Sequence, residues 1–208
     1  MLSTSQTPSL IFSNRDELTK PDSRIILKAL TSSDPESNHL NLIAWRNEPD
    51  IMKCFYGSTP ISMETHLAWL AKVENDSTQM YFGVYATKNR DSTAIEPTFI
   101  GVAAISHIDH ENSRTEYGRL LIGHHDFRKG GYGLETELMM IELVFENLKL
   151  NRFYLEAFTD NVAVINLHHK TGFKDEGVWK QHVKKDGVFK DVLLMGLLAE
   201  DYKARSAD

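Results

Sequence analysis

Thr115-Glu116-Tyr117-Gly118-Arg119-Leu120-Leu121-Ile122-Gly123, and after it Arg128-Lys129-Gly130-Gly131-Tyr132-Gly133-Leu134-Glu135, is the stretch on which the fold turns. Thr115 to Ile122 has the residues of a strand. Leu134, Leu138, Ile141, Phe145 and Leu148 then fall on one helical stripe, with Met139-Met140 filling gaps beside it. Strand, glycine turn and helix therefore follow in order, and the first-turn amides of that helix have no intrahelical partners. Glycines let a ligand approach the backbone closely. The helix dipole and the charges of Arg128 and Lys129 favour a phosphate or pyrophosphate there. On spacing alone, a turn with solvated basic residues competes with that cradle. A P-loop needs Lys and then Ser or Thr after the glycines, whereas Leu134 and Glu135 follow Gly133. A dinucleotide fold wants a small residue where Thr136 stands and a motif early in the chain.

On the N-terminal side, Tyr81 to Tyr85 and Phe99 to Ile105 read as a hairpin across a polar loop, Thr87 to Pro97. Ile25 to Leu30 reads as a strand. Ser33-Asp34-Pro35-Glu36 opens a helix running to about Arg46, and Ser62-Met63-Glu64-Thr65 opens a second through Leu67, Leu70 and Val73. On the C-terminal side, Arg152 to Phe158 is a strand, Asn161 to Lys170 a short helix, and Phe173 to Trp179 and Phe189 to Leu198 closing strands. The class is α/β (α+β) with one mixed sheet. Residues 1–23, polar and carrying Pro8 and Pro21, read as a flexible N-terminal arm, and residues 24–208 as a single domain without internal repeats.

The 208 residues suffice for one core, and 41% hydrophobic and 25% charged residues describe an ordinary globular chain. A net charge of −6 offers no global field for nucleic acid or an anionic membrane, and no apolar run approaches about 18 residues. The single Cys54 and the lack of a basic, apolar leader point to the reducing cytoplasm.

Arg128, Gly131 and Gly133 fill the signature of the GNAT acyl-CoA N-acyltransferases: Arg or Gln, two residues, Gly, one residue, Gly or Ala. Asn161 and the run Leu167-His168-His169-Lys170-Thr171-Gly172-Phe173 fill the family's second motif, with His168 at its usual Tyr position. The chain thus resembles that family over roughly Ile25 to Leu198. Trp45-Arg46-Asn47, His66 through Trp69-Leu70, and Gly187 to Val192 look like one branch of it, the amino-sugar N-acetyltransferases of the pseudaminic acid pathway and the ribosomal-protein N-terminal acetyltransferases.

The resemblance implies a GNAT fold, with a mixed, mostly antiparallel central sheet splayed between its fourth and fifth strands, Thr115 to Ile122 and Arg152 to Phe158, and flanked by helices. It implies acetyl-CoA as co-substrate: diphosphate on Arg128, Lys129, Gly130, Gly131, Tyr132 and Gly133, and pantetheine on the backbone of Leu120, Leu121 and Ile122. Asn161 would bind an amide of that arm, with helix capping as the alternative, and Lys170 belongs to the same motif. The acceptor is a small-molecule primary amine, preferably a nucleotide-linked amino sugar. A protein N-terminus or a polyamine comes second, and a non-catalytic acyl-CoA-binding domain is the contrasting class. A homodimer is compatible with this reading.

Direct attack needs a base and an acid. Glu116 is the first candidate base and Glu156 the second, each competing with a plain salt bridge to Arg114, Arg119 or Arg152; His107 is the third. His168 is the candidate acid, with Tyr132, Tyr154 or water as alternatives. Cys54 lies far from the turn, so no covalent nucleophile is indicated. The histidines are not spaced as a zinc site, and no metal is expected. Trp45 and Trp69 either pack or line an acceptor pocket.

Overall fold

The computed structural model describes residues 11–13 and 17–206. Its strands are β1 (Ile11–Ser13), β2 (Glu17–Thr19), β3 (Ile25–Ala29), β4 (Met80–Lys88), β5 (Ala94–Asp109), β6 (Arg114–Ile122), β7 (Arg152–Phe158), β8 (Lys174–Lys185) and β9 (Val188–Leu198). Its helices are α1 (Glu36–Arg46), α2 (Pro49–Met52), α3 (Met63–Val73), α4 (Tyr132–Glu142), α5 (Val162–Thr171) and α6 (Ala199–Ser206). One sheet runs in the order β1-β2-β3-β4-β5-β6-β7-β9-β8, antiparallel at every junction but one.

That one junction positions the site. β6 and β7 run parallel and pair only from Arg114↔Arg152 to Glu116↔Tyr154. From Tyr117 onward β6 stays on β5, where Leu121 faces Val102 and Ile122 faces Gly101. The strands separate into a V, and the β6 backbone along its open edge is left for a ligand. These are the fourth and fifth strands expected from the sequence. A bulge in β6 puts Arg119 at φ 61°, unusual for a side chain other than glycine or a short polar one.

Each face of the sheet carries its own core. Between α4 and the sheet pack Phe82, Val84, Ile100, Ile105, Met139, Met140 and Phe153, and between α1, α3 and the sheet pack Leu30, Leu42, Trp45, Leu70, Val73 and Phe99. α3 starts where the capping box predicts. The Ser62 hydroxyl accepts from the Thr65 amide and the Thr65 hydroxyl accepts from the Ser62 amide.

Three expectations change. Residues 17–23 of the supposed arm are structured: β2 pairs with β3, Leu18 is fully buried, and the Lys20 ammonium meets Glu142 at 2.7 Å. Residues 1–10 and 14–16 lie outside the described residues. In α4 the buried stripe is rotated from the expected one. Tyr132, Thr136, Met139 and Met140 face the sheet while Leu138 is 48% exposed, because two adjacent stripes of the helix are apolar and only one can be turned inward. Finally, the β4–β5 and β8–β9 hairpins run further than their apolar segments, since ladder pairing carries polar residues along, and α6 follows β9 directly.

Candidate active site

The glycine turn is built as a cradle. Gly130 and Gly131 sit at φ 105° and 92°, and Gly131 is the N-cap of α4, which no side chain caps. A Cβ at Gly131 would be strained by that φ and would come within 3.3 Å of the Arg24 guanidinium. Uncapped amides at a helix start with two left-handed residues before them form an anion-binding concavity, and a diphosphate fits its chemistry. Gly133 is less constrained, since a Cβ there meets only ordinary contacts.

The basic residues of the turn are not all open. Arg128 donates to the Gly123 carbonyl from Nε at 3.0 Å and spans both Glu48 oxygens at 2.7 Å from Nη2. It therefore ties the loop to the turn between α1 and α2. Lys129 is exposed, and its carbonyl accepts from Arg90. Tyr132 is buried, its hydroxyl donating to the Lys88 carbonyl at 3.0 Å, which removes it as an alternative proton donor.

A cavity of about 560 Å³ follows the opening between β6 and β7. Leu120, Glu116, Glu156, Asn161 and His168 all border it. Asn161 is the N-cap of α5 but makes no capping bond with its side chain, so its amide is free for a ligand. Lys170 is exposed on α5, away from the cavity, and only its carbonyl is bonded, to Arg205. Leu121 and Ile122 offer the open strand edge through their main chain. Leu121 itself packs in the core under α1 and α3.

The two carboxylates stand on the two arms of the V. His107, left-handed at φ 52° in a second bulge, places Nδ1 2.8 Å from Glu116 Oε2. Burial pushes the Glu116 carboxyl above the usual carboxylate range, against the pull of His107. Glu156 Oε2 accepts from the Tyr56 hydroxyl at 2.6 Å. Tyr56 belongs to the segment between α2 and α3, which is also held by Lys185, whose ammonium donates to the Gly57 carbonyl at 3.0 Å. That segment bridges from α2 to β7 and to the β8–β9 hairpin.

His168 is 5% exposed. Its Nδ1 lies 2.9 Å from Glu137 Oε1, and the Thr171 hydroxyl donates to the same oxygen. Glu137 is wholly buried, and its Oε2 has no partner. Sequence reasoning passed over Glu137, although its place one turn from Gly133 in a strongly apolar helix is the signal.

A second recess of about 250 Å³ opens beside the cavity, between α1, α3 and the sheet. Arg46, Phe55, Tyr81 and Arg119 border both spaces. The Arg46 guanidinium lies 3.5 Å from the Phe55 ring centroid and that of Arg119 5.3 Å from the Trp69 ring. Burial, and Arg119 beside it, lower Arg46 to about 10. Among the described residues neither arginine has an ion-pair partner, and Arg46 Nε is buried without a hydrogen bond. Trp69 thus lines the recess, while Trp45 packs on Phe99. Elsewhere, His124, His125 and Asp126 bring three potential ligand atoms within 4.8 Å on a largely exposed turn. No helix of the described residues is long and apolar enough to cross a membrane.

A family profile described as "Acetyltransferase (GNAT) domain" matches residues 24–174. The chain belongs to the GNAT family. It is an acyl-CoA-dependent N-acetyltransferase. PseH, an acetyltransferase of Campylobacter jejuni, is 30% identical over 149 residues, covering 71% of this chain and 85% of the relative. An uncharacterized N-acetyltransferase, p20, of Bacillus licheniformis is 27% identical over 163 residues, covering 77% and 87%. The spermidine N-acetyltransferase of Vibrio cholerae, solved with CoA and spermine, superposes with a TM-score of 0.73 at 20% identity, over 86% of this chain and 98% of that one. The splayed sheet and the glycine turn are thus those of a GNAT domain.

Proposed function

We propose that this enzyme acetylates the primary amine of a phosphorylated small molecule, preferably a nucleotide-linked amino sugar, by direct attack in a ternary complex. The observation that carries the acceptor is the pair Arg46 and Arg119, two guanidiniums without a carboxylate partner among the described residues, in a recess walled by Phe55, Trp69 and Tyr81. Guanidinium forks match phosphate oxygens, and aromatic walls suit a planar or sugar ring.

The amides of Gly131, Tyr132 and Gly133 hold the coenzyme diphosphate, and Lys129 adds charge. The open edge of β6 at Leu120 to Ile122 and the amide of Asn161 hold the pantetheine arm. When bound, acetyl-CoA supplies a thioester whose sulfur leaves as a thiolate. Glu116, raised by burial above the ordinary carboxylate value, takes the proton of the acceptor ammonium, and His107 orients it. Glu156 and Tyr56 shape the opposite wall. His168, at the edge of the same cavity, protonates the sulfur.

A polyamine is the second reading, favoured by Asp76, Glu116 and Glu156 on the same cavity. Thiol release with a nucleotide-linked amino sugar, the free amino sugar, spermidine and a peptide amine decides. A kcat/KM at least about tenfold higher for the phosphorylated acceptor is expected from an Arg–phosphate contact. Preference for spermidine overturns the acceptor assignment, and silence toward all amines with tight coenzyme binding leaves a binding module.

A further inference from the structure

An imidazole can replace a phenol as proton donor only if its ring is oriented and if it holds a proton to give. The burial around His168 bears on both. Glu137 is fully buried, Oε1 is shared between His168 Nδ1 and the Thr171 hydroxyl, and Oε2 has no partner. The Tyr117 hydroxyl, on the ring that meets His168 edge-on with centroids 5.9 Å apart, is likewise buried without a partner. A lone carboxylate in such surroundings is costly, and the cost falls sharply when a proton is shared with a neighbour. Glu137 sits on α4, directly after the cradle, and His168 on α5. The contact therefore links the diphosphate-binding helix to the ring at the edge of the cavity.

We propose that Glu137 is a positioning residue that holds His168 by Nδ1 and stores, jointly with it, the proton that the ring passes from Nε2 to the departing sulfur. Before transfer the pair holds one proton between Oε1 and Nδ1 and another on Nε2, and is neutral overall. As the acceptor nitrogen forms the C–N bond, the C–S bond breaks with its electron pair on sulfur, which takes the Nε2 proton. The pair is left as carboxylate and neutral imidazole with Nδ1 still donating, and it regains a proton from solvent. Such protons belong to the pair, not to either residue. The acceptor nitrogen sheds two protons, one from the ammonium before attack and one as the C–N bond forms, each passing through Glu116 to solvent. This inference rests on the assignment of His168 as the acid.

Four measurements test it. With Glu137→Gln, kcat should fall about 100-fold with KM for acetyl-CoA within about threefold, the split expected when general-acid chemistry and not binding is lost. In a His168→Phe background the same change should cost less than about threefold more, because the two act as one unit. Glu137→Asp, which keeps the carboxylate, should recover part of the rate. In the wild-type chain, nitrogen-15 resonances of His168 should show Nε2 carrying a proton, a readout that does not depend on any variant folding. A bare Nε2, a wild-type kcat in Glu137→Gln, a loss entirely in KM, or an equal further loss in the His168→Phe background each overturns the proposal. An unaltered rate in His168→Phe overturns it together with the acid assignment, while leaving amine acetylation standing. Absence of transfer from wild type to any amine takes both down.

Discussion

The glycine-turn end of the cleft and its arginine-and-aromatic end, proposed above to hold coenzyme and acceptor, are made of different materials. Between Ile122 and Leu134 the groups on offer are main-chain amides, presented by one local sequence through two left-handed glycines. At the other end they are side chains from separate elements: Arg46 from α1, Tyr56 after α2, Trp69 from α3, Tyr81 from β4, Arg119 from β6 and Glu156 from β7. The first design depends on backbone shape and tolerates surface exchange. The second depends on which side chains converge and changes with any of them.

The largest effect is expected where the ends meet. Glu116→Gln should lower kcat by about 10²- to 10⁴-fold, the usual yield of a positioned base. Because Glu116 must be deprotonated to act and burial raises it, wild-type kcat/KM should climb with pH through a midpoint above the ordinary glutamate value of about 4.3, and the variant should lose that limb. A limb at the ordinary value removes Glu116 as the buried base. Next, Gly131→Val should weaken coenzyme binding about 100-fold in a calorimetric titration, since a β-branched residue at φ 92° is strained and reshapes the cradle. Arg128→Ala, which cuts only a tie to Glu48 and Gly123, should cost less, and a reversed order would mean that the cradle is made of side chains after all.

These two ends also mark how much could be read from sequence. The glycine turn, the strand before it and the Asn161 helix were legible because each is contiguous and its residue types have backbone meaning. Arg46 and Arg119 lie 73 positions apart and meet only because β6 bulges at Arg119, which no local pattern announces. Glu137 was hidden for another reason. A charged residue on a patterned helix reads as solvent-facing, and only the rotation of α4, with Leu138 outward, turns it in. The arm over residues 17–23 misled through polarity, since Leu18 alone anchors β2.

A third prediction probes the wall of the acceptor recess. His66 lies against His39 at 3.0 Å and is lowered by burial first, then by His39, to about 4. Its folded form binds fewer protons than the unfolded chain between that value and about 6.5, so stability is present at neutral pH and lost on acidification through that window. The loss should reach about 2 to 3 kcal/mol, visible as a steeper fall in Tm than in His66→Asn. Equal slopes would show that the recess does not strain its histidine. Arg119→Gln should raise KM for a phosphorylated acceptor about tenfold while sparing coenzyme affinity, as expected for one lost Arg–phosphate contact. A matching loss of coenzyme affinity would merge the two ends. Smallest of all, Leu138→Glu should shift stability by no more than about 0.5 kcal/mol, the range of a surface change. A larger loss would restore the stripe expected from periodicity.

Three rungs join the arms of the V at its base, and Tyr56 on Glu156 with Lys185 on Gly57 lays the segment between α2 and α3 across β7 and the β8–β9 hairpin. The opening therefore has a fixed hinge at its base and, along β7, a strap held by hydrogen bonds. Removing the phenol, as in Tyr56→Phe, would leave that strap on the Lys185 contacts and strip Glu156 of the hydrogen bond it accepts.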